Sequence, residues 1–442
     1  MASRLGAENA QAIMSLDPEN CHGLAQVSLG ILTKNPVLGR RPDNRSVALL
    51  DGEIFDAAQL SASLKQPRNA LRGDDFANLL LASWAHGGVV GIAALDGSFA
   101  AAIVDPDKQT LTLISDRFGT RPIYYAHTAG RFLFASGIWP LLADNHVSRE
   151  SNWTGIAQFF TFGHYFGDDT SLAAVKVLPA ATVLTYDARR NSVSLQGYWH
   201  GSQRIGEVPT NQRAASEAID AAFAKSVERC AATSGTKLGL SLSGGLDART
   251  ILGVCPSPPE SMTTVCMGMP GSRDHLTSTQ LANIIGCEHH NHLLDAEFLA
   301  NFDEHLAHMV QLTDGQYLSQ CIIMPTLPHY QQLGIGILIR GHAGELMHMT
   351  KAYNYSLDAE AMKLQDGRQL ENWLWSHLQS YLLNGVDEPL FAQNELRDAS
   401  LARDSLRTVL KETEAIDRPV ERISHVFLDQ RVRRETMLSM VK

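Results

Sequence analysis

The chain has 442 residues, 44% hydrophobic and 19% charged. That leaves ample apolar material for buried cores and too few charges for disordered charged tails; at about 150 residues each, two or three domains are expected. With 37 basic and 47 acidic residues the net charge is −10, which argues against non-specific binding to nucleic acid or an anionic membrane.

Ser46-Val-Ala-Leu-Leu50 has the composition of a strand and runs into Asp51-Gly52, a turn pair. A helix is expected over Asp74 to His86. Gly97 to Val104 is an unbroken apolar run, followed by the turn Asp105-Pro106-Asp107-Lys108 and the alternating strand Thr110 to Ile114. A hairpin is expected through Tyr124-Tyr125 and Arg131 to Ala135. A helix over Thr154 to Phe162 follows, then a hairpin from Val183 to Tyr186 and Val193 to Leu195. Residues 200–211 are polar and turn-rich and read as a linker.

Beyond the linker, helix and strand alternate. Helices are expected at Ala214–Ala231 and Leu276–Ile285, and strands at Lys237–Leu242, Thr263–Met267, Asn291–Leu294 and Gly334–Ile339. That alternation predicts a parallel α/β sheet. From about residue 355 the chain reads as helical and charged.

The six cysteines, at positions 21, 230, 255, 266, 287 and 321, include no CxxC pair. They form neither a disulfide framework nor a zinc ribbon, and read as small hydrophobes of a reduced protein. No apolar run approaches the roughly 20 residues of a membrane span. The start MASRLGAENAQ lacks the basic and apolar regions of a signal peptide. A cytoplasmic location is the default expectation.

The sharpest chemical signal is Leu240-Ser-Leu-Ser-Gly-Gly-Leu-Asp247. A hydrophobic strand runs into Ser243-Gly244-Gly245, and a helix is expected to start near Asp247. In such a turn backbone N–H groups can approach a phosphate, and glycines keep side chains away from it. The helix N-terminus adds about half a positive charge. Asp247 at the mouth suits the magnesium that accompanies a pyrophosphate. The Walker pattern GxxxxGK[ST] does not occur. A glycine-rich turn without a ligand is the plainer alternative. His289, His290 and His292, and the pair His305 and His308, could form a zinc site, but no carboxylate or cysteine geometry supports one.

Ser-Gly-Gly-Leu-Asp after a buried strand resembles the pyrophosphatase loop of the asparagine synthetases. Further ordered motifs extend that resemblance over nearly the whole chain. Leu95 to Asp105 resembles L-x-G-x-F-A-F-x-I-x-D, and Ser115 to Tyr125 resembles R-D-R-F-G-x-K-P-L-Y-Y. Phe134 to Ile138 resembles F-A-S-E-I, and Leu50 to Phe55 resembles F-N-G-E-I-Y. These motifs belong to the class II glutamine amidotransferase domain. Val265 to Ser272, Gly286 to His290 and Gly334 to Glu345 align with successive segments of the synthetase domain.

The resemblance implies an α/β protein with two domains. Residues 1–200 would form an N-terminal αββα, Ntn-hydrolase-like sandwich, and residues 212–442 a doubly wound parallel-sheet ATP-pyrophosphatase domain. It implies ATP and Mg2+ as cofactors. Leu242, Ser243, Gly244, Gly245, Asp247, Met267, Arg340 and Gly341 would bind ATP, with Leu242 and Met267 flanking adenine. Asp247 and Glu345 would be the catalytic, magnesium-binding carboxylates. Asp51, Gly52, Glu53 and Asp75 would be what remains of a glutamine site.

Departures from the pattern carry their own expectations. Family glutaminases begin Met-Cys, and the cysteine becomes an N-terminal nucleophile with its own amine as base. Here Ala2 follows Met1. Cys21-His-Gly-Leu24 looks like the family's C-G-I start, but the 29 residues between Cys21 and Asp51 are too few for the elements expected there. Asp51 holds the position of an oxyanion-hole asparagine, where a carboxylate repels a developing oxyanion. The resemblance therefore implies a glutaminase-like domain expected not to hydrolyse glutamine; the β-lactam synthetases and lasso-peptide cyclases of the superfamily also lack the nucleophile.

In the second half, Ala248 replaces a serine, and Arg340-Gly-His-Ala-Gly-Glu-Leu346 stands for S-G-E/D-G-x-D-E. His342 and Leu346 thereby replace acidic residues. A one-residue gap would pair Glu345 with the last glutamate instead. The chain reads as starting after the family's first strand and stopping before its late catalytic lysine, as a shortened gene or a fragment.

The expected function is asparagine synthetase-like: adenylation of a small-molecule carboxylate, then attack by ammonia or an amine, as in asparagine biosynthesis. No nucleic-acid or membrane partner is expected, and a homodimer is compatible. Two alternatives stay open: a glutamine-independent lactam- or macrolactam-forming synthetase, and a non-catalytic nucleotide-binding remnant.

Overall fold

The computed structural model describes residues 11–17, 22–28, 38–41, 45–55, 57–64, 75–128, 130–200, 211–231, 237–256, 261–316, 321–341, 344, 355, 357–378 and 400–436. The chain divides into two compact units. One comprises residues 1–203, 313–317 and 348–442, the other residues 204–312 and 318–347.

In the first unit, β1 (Gln11–Asp17) and β2 (His22–Ser28) form an antiparallel pair. There follow β3 (Gly39–Arg40), β4 (Val47–Ile54), α1 (Ala57–Ser63), α2 (Phe76–Gly87) and α3 (Val89–Ala93). Next come β5 (Gly97–Asp105), β6 (Thr110–Ser115), β7 (Tyr124–Thr128), β8 (Arg131–Ala135), α4 (Ile138–Leu141) and α5 (Trp153–Phe162). β9 (Lys176–Val177), β10 (Thr182–Asp187) and β11 (Ser192–Gly197) complete the series. One antiparallel sheet has the order β11-β10-β6-β5-β4-β3, the other the order β8-β7-β9.

Side-chain alternation explains the layering. Along β4, Ala48 and Leu50 join a core with Leu79, Leu80 and Leu81 of α2. Val47 and Leu49, on the opposite face, join a core with Tyr125 of β7. β5 divides likewise, Phe99, Ala101 and Ile103 facing the helices and Ala102 and Val104 the second sheet. Tyr124 and Ala126 of β7 meet Ile138 and Leu141 of α4. Helix, sheet, sheet and helix thus stack in four layers.

β4 does not end at Asp51-Gly52. It continues to Ile54, with Asp51 opposite Ala100 and Gly52 opposite Phe99. Pairing with β5 overrides the local turn signal. Gly52 has φ 112°, and a Cβ there would lie 2.0 Å from the Ser98 carbonyl oxygen, so the strand needs glycine here. The expected linker falls largely on residues 201–210, outside the described residues.

The second unit begins with α6 (Gln212–Ala231), then β12 (Lys237–Ser241), α7 (Leu246–Val254), β13 (Met262–Gly268), α8 (Arg273–Ile285) and β14 (Glu288–Leu293). It continues with α9 (Ala296–Ala300), α10 (Phe302–Thr313), α11 (Thr326–Gln332) and β15 (Ile335–Arg340). Among the described residues its strands are all parallel, in the order β14-β13-β12-β15. The chain steps outward from β12 to β14, then returns to the other side of β12. The strand order therefore reverses between β12 and β15, and the crevice beyond the strand ends at such a point is where ligands bind in this architecture.

α12 (Gly367–Leu378), α13 (Ser400–Glu412), α14 (Pro419–Val426) and a π-helix, Phe427–Thr436, belong by packing with the first unit. Gln158 of α5 donates to Ser405 at 3.0 Å. Arg431, 3% exposed, donates to the Phe162 carbonyl, and Arg433 donates through Nε to the Arg117 carbonyl at 3.1 Å. Among the described residues no helix is long and apolar enough to cross a membrane.

Candidate nucleotide site and candidate glutamine-site remnant

In the second unit, β12 is anchored by Leu238 and Leu240, and Leu242 beyond it is fully buried with Ile251 and Leu252. The apolar run ends at Ser243, where the chain leaves the sheet. α7 starts on Gly245 as N-cap, with no side-chain cap. Among the described residues no side chain caps these first-turn N–H groups, the condition under which a helix start receives an anion. Within the turn, Gly244 N–H donates to Asp274 Oδ1 at 2.9 Å and Gly245 N–H to Ser243 Oγ at 3.1 Å.

The segment after β15 closes onto α7. Arg340, half-buried, stands opposite Ser241 in the strand register. A Cβ on Gly341 would lie 2.4 Å from the Ala248 nitrogen, and one on Gly344 would lie 2.4 Å from Asp247 Oδ1. Gly344 N–H donates to Asp247 Oδ2 at 3.2 Å. Ser243, Gly244, Gly245, Asp247, Arg340 and Gly341 therefore gather at the ends of two adjacent strands. Met267 is half-buried at the end of β13, beside them in the sheet order. Leu242 borders the turn, with its side chain in the core and its N–H donating to the Val265 carbonyl at 2.8 Å. Ala248 is likewise buried, packed with Ile251. His342, Glu345 and Leu346 lie outside the described residues.

In the first unit, Asp51 Oδ2 accepts from Arg121 Nη1 at 3.1 Å. Arg121 also crosses Gly52, whose Cβ would lie 2.7 Å from Arg121 Nε. Burial pushes the Glu53 carboxyl above its usual range, and Arg121 pulls it back. Asp51, Gly52 and Glu53 thus surround one guanidinium. Asp75 is engaged differently, as the N-cap of α2. It accepts from Asn78 N–H at 3.3 Å and from Asn78 Nδ2 at 2.7 Å. Cys21 lies outside the described residues.

The Asp116–Thr120 turn is held by Asp116, which is 1% exposed and accepts backbone N–H groups from Phe99, Phe118 and Thr120. Arg121 and Asp274 were not singled out from the sequence. Arg121 sits in the Ser115–Tyr125 motif, and Asp274 follows a serine at a helix start, so a capping pattern marks its place.

A model of a glutamine amidotransferase domain matches residues 19–199, and one described as asparagine synthase matches residues 218–441. Asparagine synthetase [glutamine-hydrolyzing] 2 of Bacillus subtilis is 25% identical over 264 residues, 56% of this chain and 35% of that protein. The asparagine synthetase of Rattus norvegicus is 26% identical over 301 residues, 63% of this chain and 51% of that protein. Amidase chyE of Penicillium rubens is 22% identical over 355 residues, 73% of this chain and 50% of that protein. The chain therefore spans about a third to a half of the length of these relatives. The four-layered first unit is the Ntn-type glutamine amidotransferase fold, the second unit carries the parallel-sheet synthase fold, and the chain belongs to the asparagine synthetase family.

Proposed function

We propose that this protein is an ATP-dependent, AMP-forming amide ligase that activates a small-molecule carboxylate and passes it to ammonia or an amine. The observation that carries this reading is the turn from β12 to α7, with Asp247 held against Gly344 at the point where the strand order reverses. The residues present fit a magnesium–pyrophosphate group. The start of α7 has no side-chain cap, Asp247 is a half-buried carboxylate, and Arg340 ends the adjacent strand. Asp247, with Glu345, would hold the magnesium; when bound, the ion offsets charge on phosphate oxygens. Ser243 and the first-turn N–H groups of α7 would orient the pyrophosphate. Arg340 would face it as a planar cation that stays charged. The Met267 and Leu242 backbones would border adenine. A cytoplasmic location and a possible second copy as partner belong to the same proposal.

ATP–pyrophosphate exchange, screened over a panel of carboxylic acids, tests the reading. Exchange that depends on one acid and on magnesium supports it. Absence of exchange with every acid while MgATP still binds favours a non-catalytic nucleotide-binding remnant, and failure to bind MgATP at millimolar concentration overturns the nucleotide reading itself.

A second, narrower reading concerns the amine. Asp51 pairs with Arg121, at the position that the family resemblance gives to a glutamine site, and this supports a substrate amine over ammonia drawn from glutamine. Ring closure to a lactam or macrolactam is the form that reading takes. Product formation without glutamine or ammonia distinguishes it from asparagine synthesis.

A further inference from the structure

We propose that Asp274 is a positioning residue for the phosphate loop, a role that rests on the nucleotide-binding reading of that loop. Its carboxylate accepts the Gly244 N–H at 2.9 Å, across 30 positions of sequence. Gly244 also packs directly on α8: a Cβ there would lie 3.0 Å from Asp274 Oδ1 and 3.4 Å from Thr277 Cβ. The middle residue of Ser243-Gly244-Gly245 is therefore clamped by one charge-assisted hydrogen bond and by close packing.

The clamp stands on a rigid base. Asp274 lies in the first turn of α8, where the helix favours a negative charge. α8 is capped by Ser272, whose side chain accepts from His275 N–H, and it is fixed to the sheet through Ser278 and Ala282, both fully buried. The turn entering α8 follows directly from Met267 and Gly268 at the end of β13. Asp274 thereby ties the phosphate loop to the strand end assigned to the base.

This arrangement divides the loop's donors. The Gly244 N–H is already committed to Asp274, so phosphate recognition falls to Ser243 and to the first turn of α7. Asp274 acts on the phosphate through the loop: it holds the turn in one shape before nucleotide arrives, and so lowers the ordering cost of binding.

The test is calorimetric titration of the full 442-residue chain with MgATP, magnesium pyrophosphate and adenosine. The parent is expected to bind MgATP. Asp274→Ala should weaken MgATP and magnesium pyrophosphate by about ten-fold or more, and leave adenosine within about two-fold. Asp274→Asn keeps an oxygen that accepts the Gly244 N–H, and should stay within about three-fold of the parent for all three. A parent that binds MgATP while Asp274→Ala binds it equally well or more tightly overturns this proposal alone. So does an Asp274→Asn variant as weak as Asp274→Ala, or an equal loss of adenosine and MgATP. A parent that binds no MgATP overturns the loop reading, and this proposal with it.

Discussion

Gly344 and Asp247 are 97 positions apart, and the Gly344 N–H donates to Asp247 Oδ2 at 3.2 Å. The contact sets the direction of the carboxylate at the mouth of the β12–α7 turn. A Cβ at 344 would reach 2.4 Å from Asp247 Oδ1, so any larger residue there must push the Asp247 carboxylate aside.

Gly344→Ala should therefore displace Asp247 or the segment carrying the glycine. MgATP affinity is expected to fall by about ten-fold, with little change in Tm because the contact is local. Calorimetric titration checks this. An alanine variant with the parent's affinity would show that the Gly344 contact does not position Asp247.

Gly52→Ala tests the corrected course of β4. The added methyl meets the Ser98 carbonyl at 2.0 Å, in a backbone conformation at φ 112° that alanine resists. A loss of about 2–4 kcal/mol in urea unfolding is expected. A change below about 0.5 kcal/mol would contradict the register of β4 on β5.

Glutamine should not be hydrolysed. On the proposed reading Asp51 would set a carboxylate where an oxyanion needs a donor, and Arg121 already pairs with it. A coupled glutamate assay should give no signal above buffer, for the parent and for Asp51→Asn alike. Glutamate release that thiol alkylation abolishes would contradict the prediction.

Much of the fold was legible in the sequence because its cores follow simple periodicities. The apolar runs at Gly97–Val104 and Lys237–Leu242 mark strands covered on both faces, and the structure places them centrally in their sheets. The Ser243-Gly-Gly turn was legible because its chemistry is contiguous. Asp51-Gly52 misled because a local turn signal yielded to pairing with β5, which no short window contains. β1 and β2 were not anticipated. The bonds from Asp274 to Gly244 and from Gly344 to Asp247 were also out of reach, since each joins segments that meet only when the parallel sheet assembles.

His164 gives the first unit a pH dependence. Burial, reinforced by Arg431 and Arg434, holds its imidazole well below the usual 6.5. Below about pH 6.5 the unfolded chain takes up a proton that the folded chain refuses. The contribution of this group is therefore full above pH 6.5 and is lost as the pH drops, by up to about 1.4 kcal/mol per unit. His164→Phe should flatten the dependence of Tm on pH between 6.5 and 5. An unchanged slope would show that His164 is not its source.

The most direct test of the central claim is calorimetric titration of the 442-residue chain with ATP, with and without magnesium, compared with Asp247→Asn. Asparagine at 247 still offers an oxygen to the Gly344 N–H but removes the charge that faces the metal. The account predicts that the parent binds ATP at or below millimolar concentration and more tightly with magnesium, and that Asp247→Asn loses the magnesium dependence. A parent that binds no ATP at millimolar concentration, or an Asp247→Asn variant that responds to magnesium as the parent does, would contradict it.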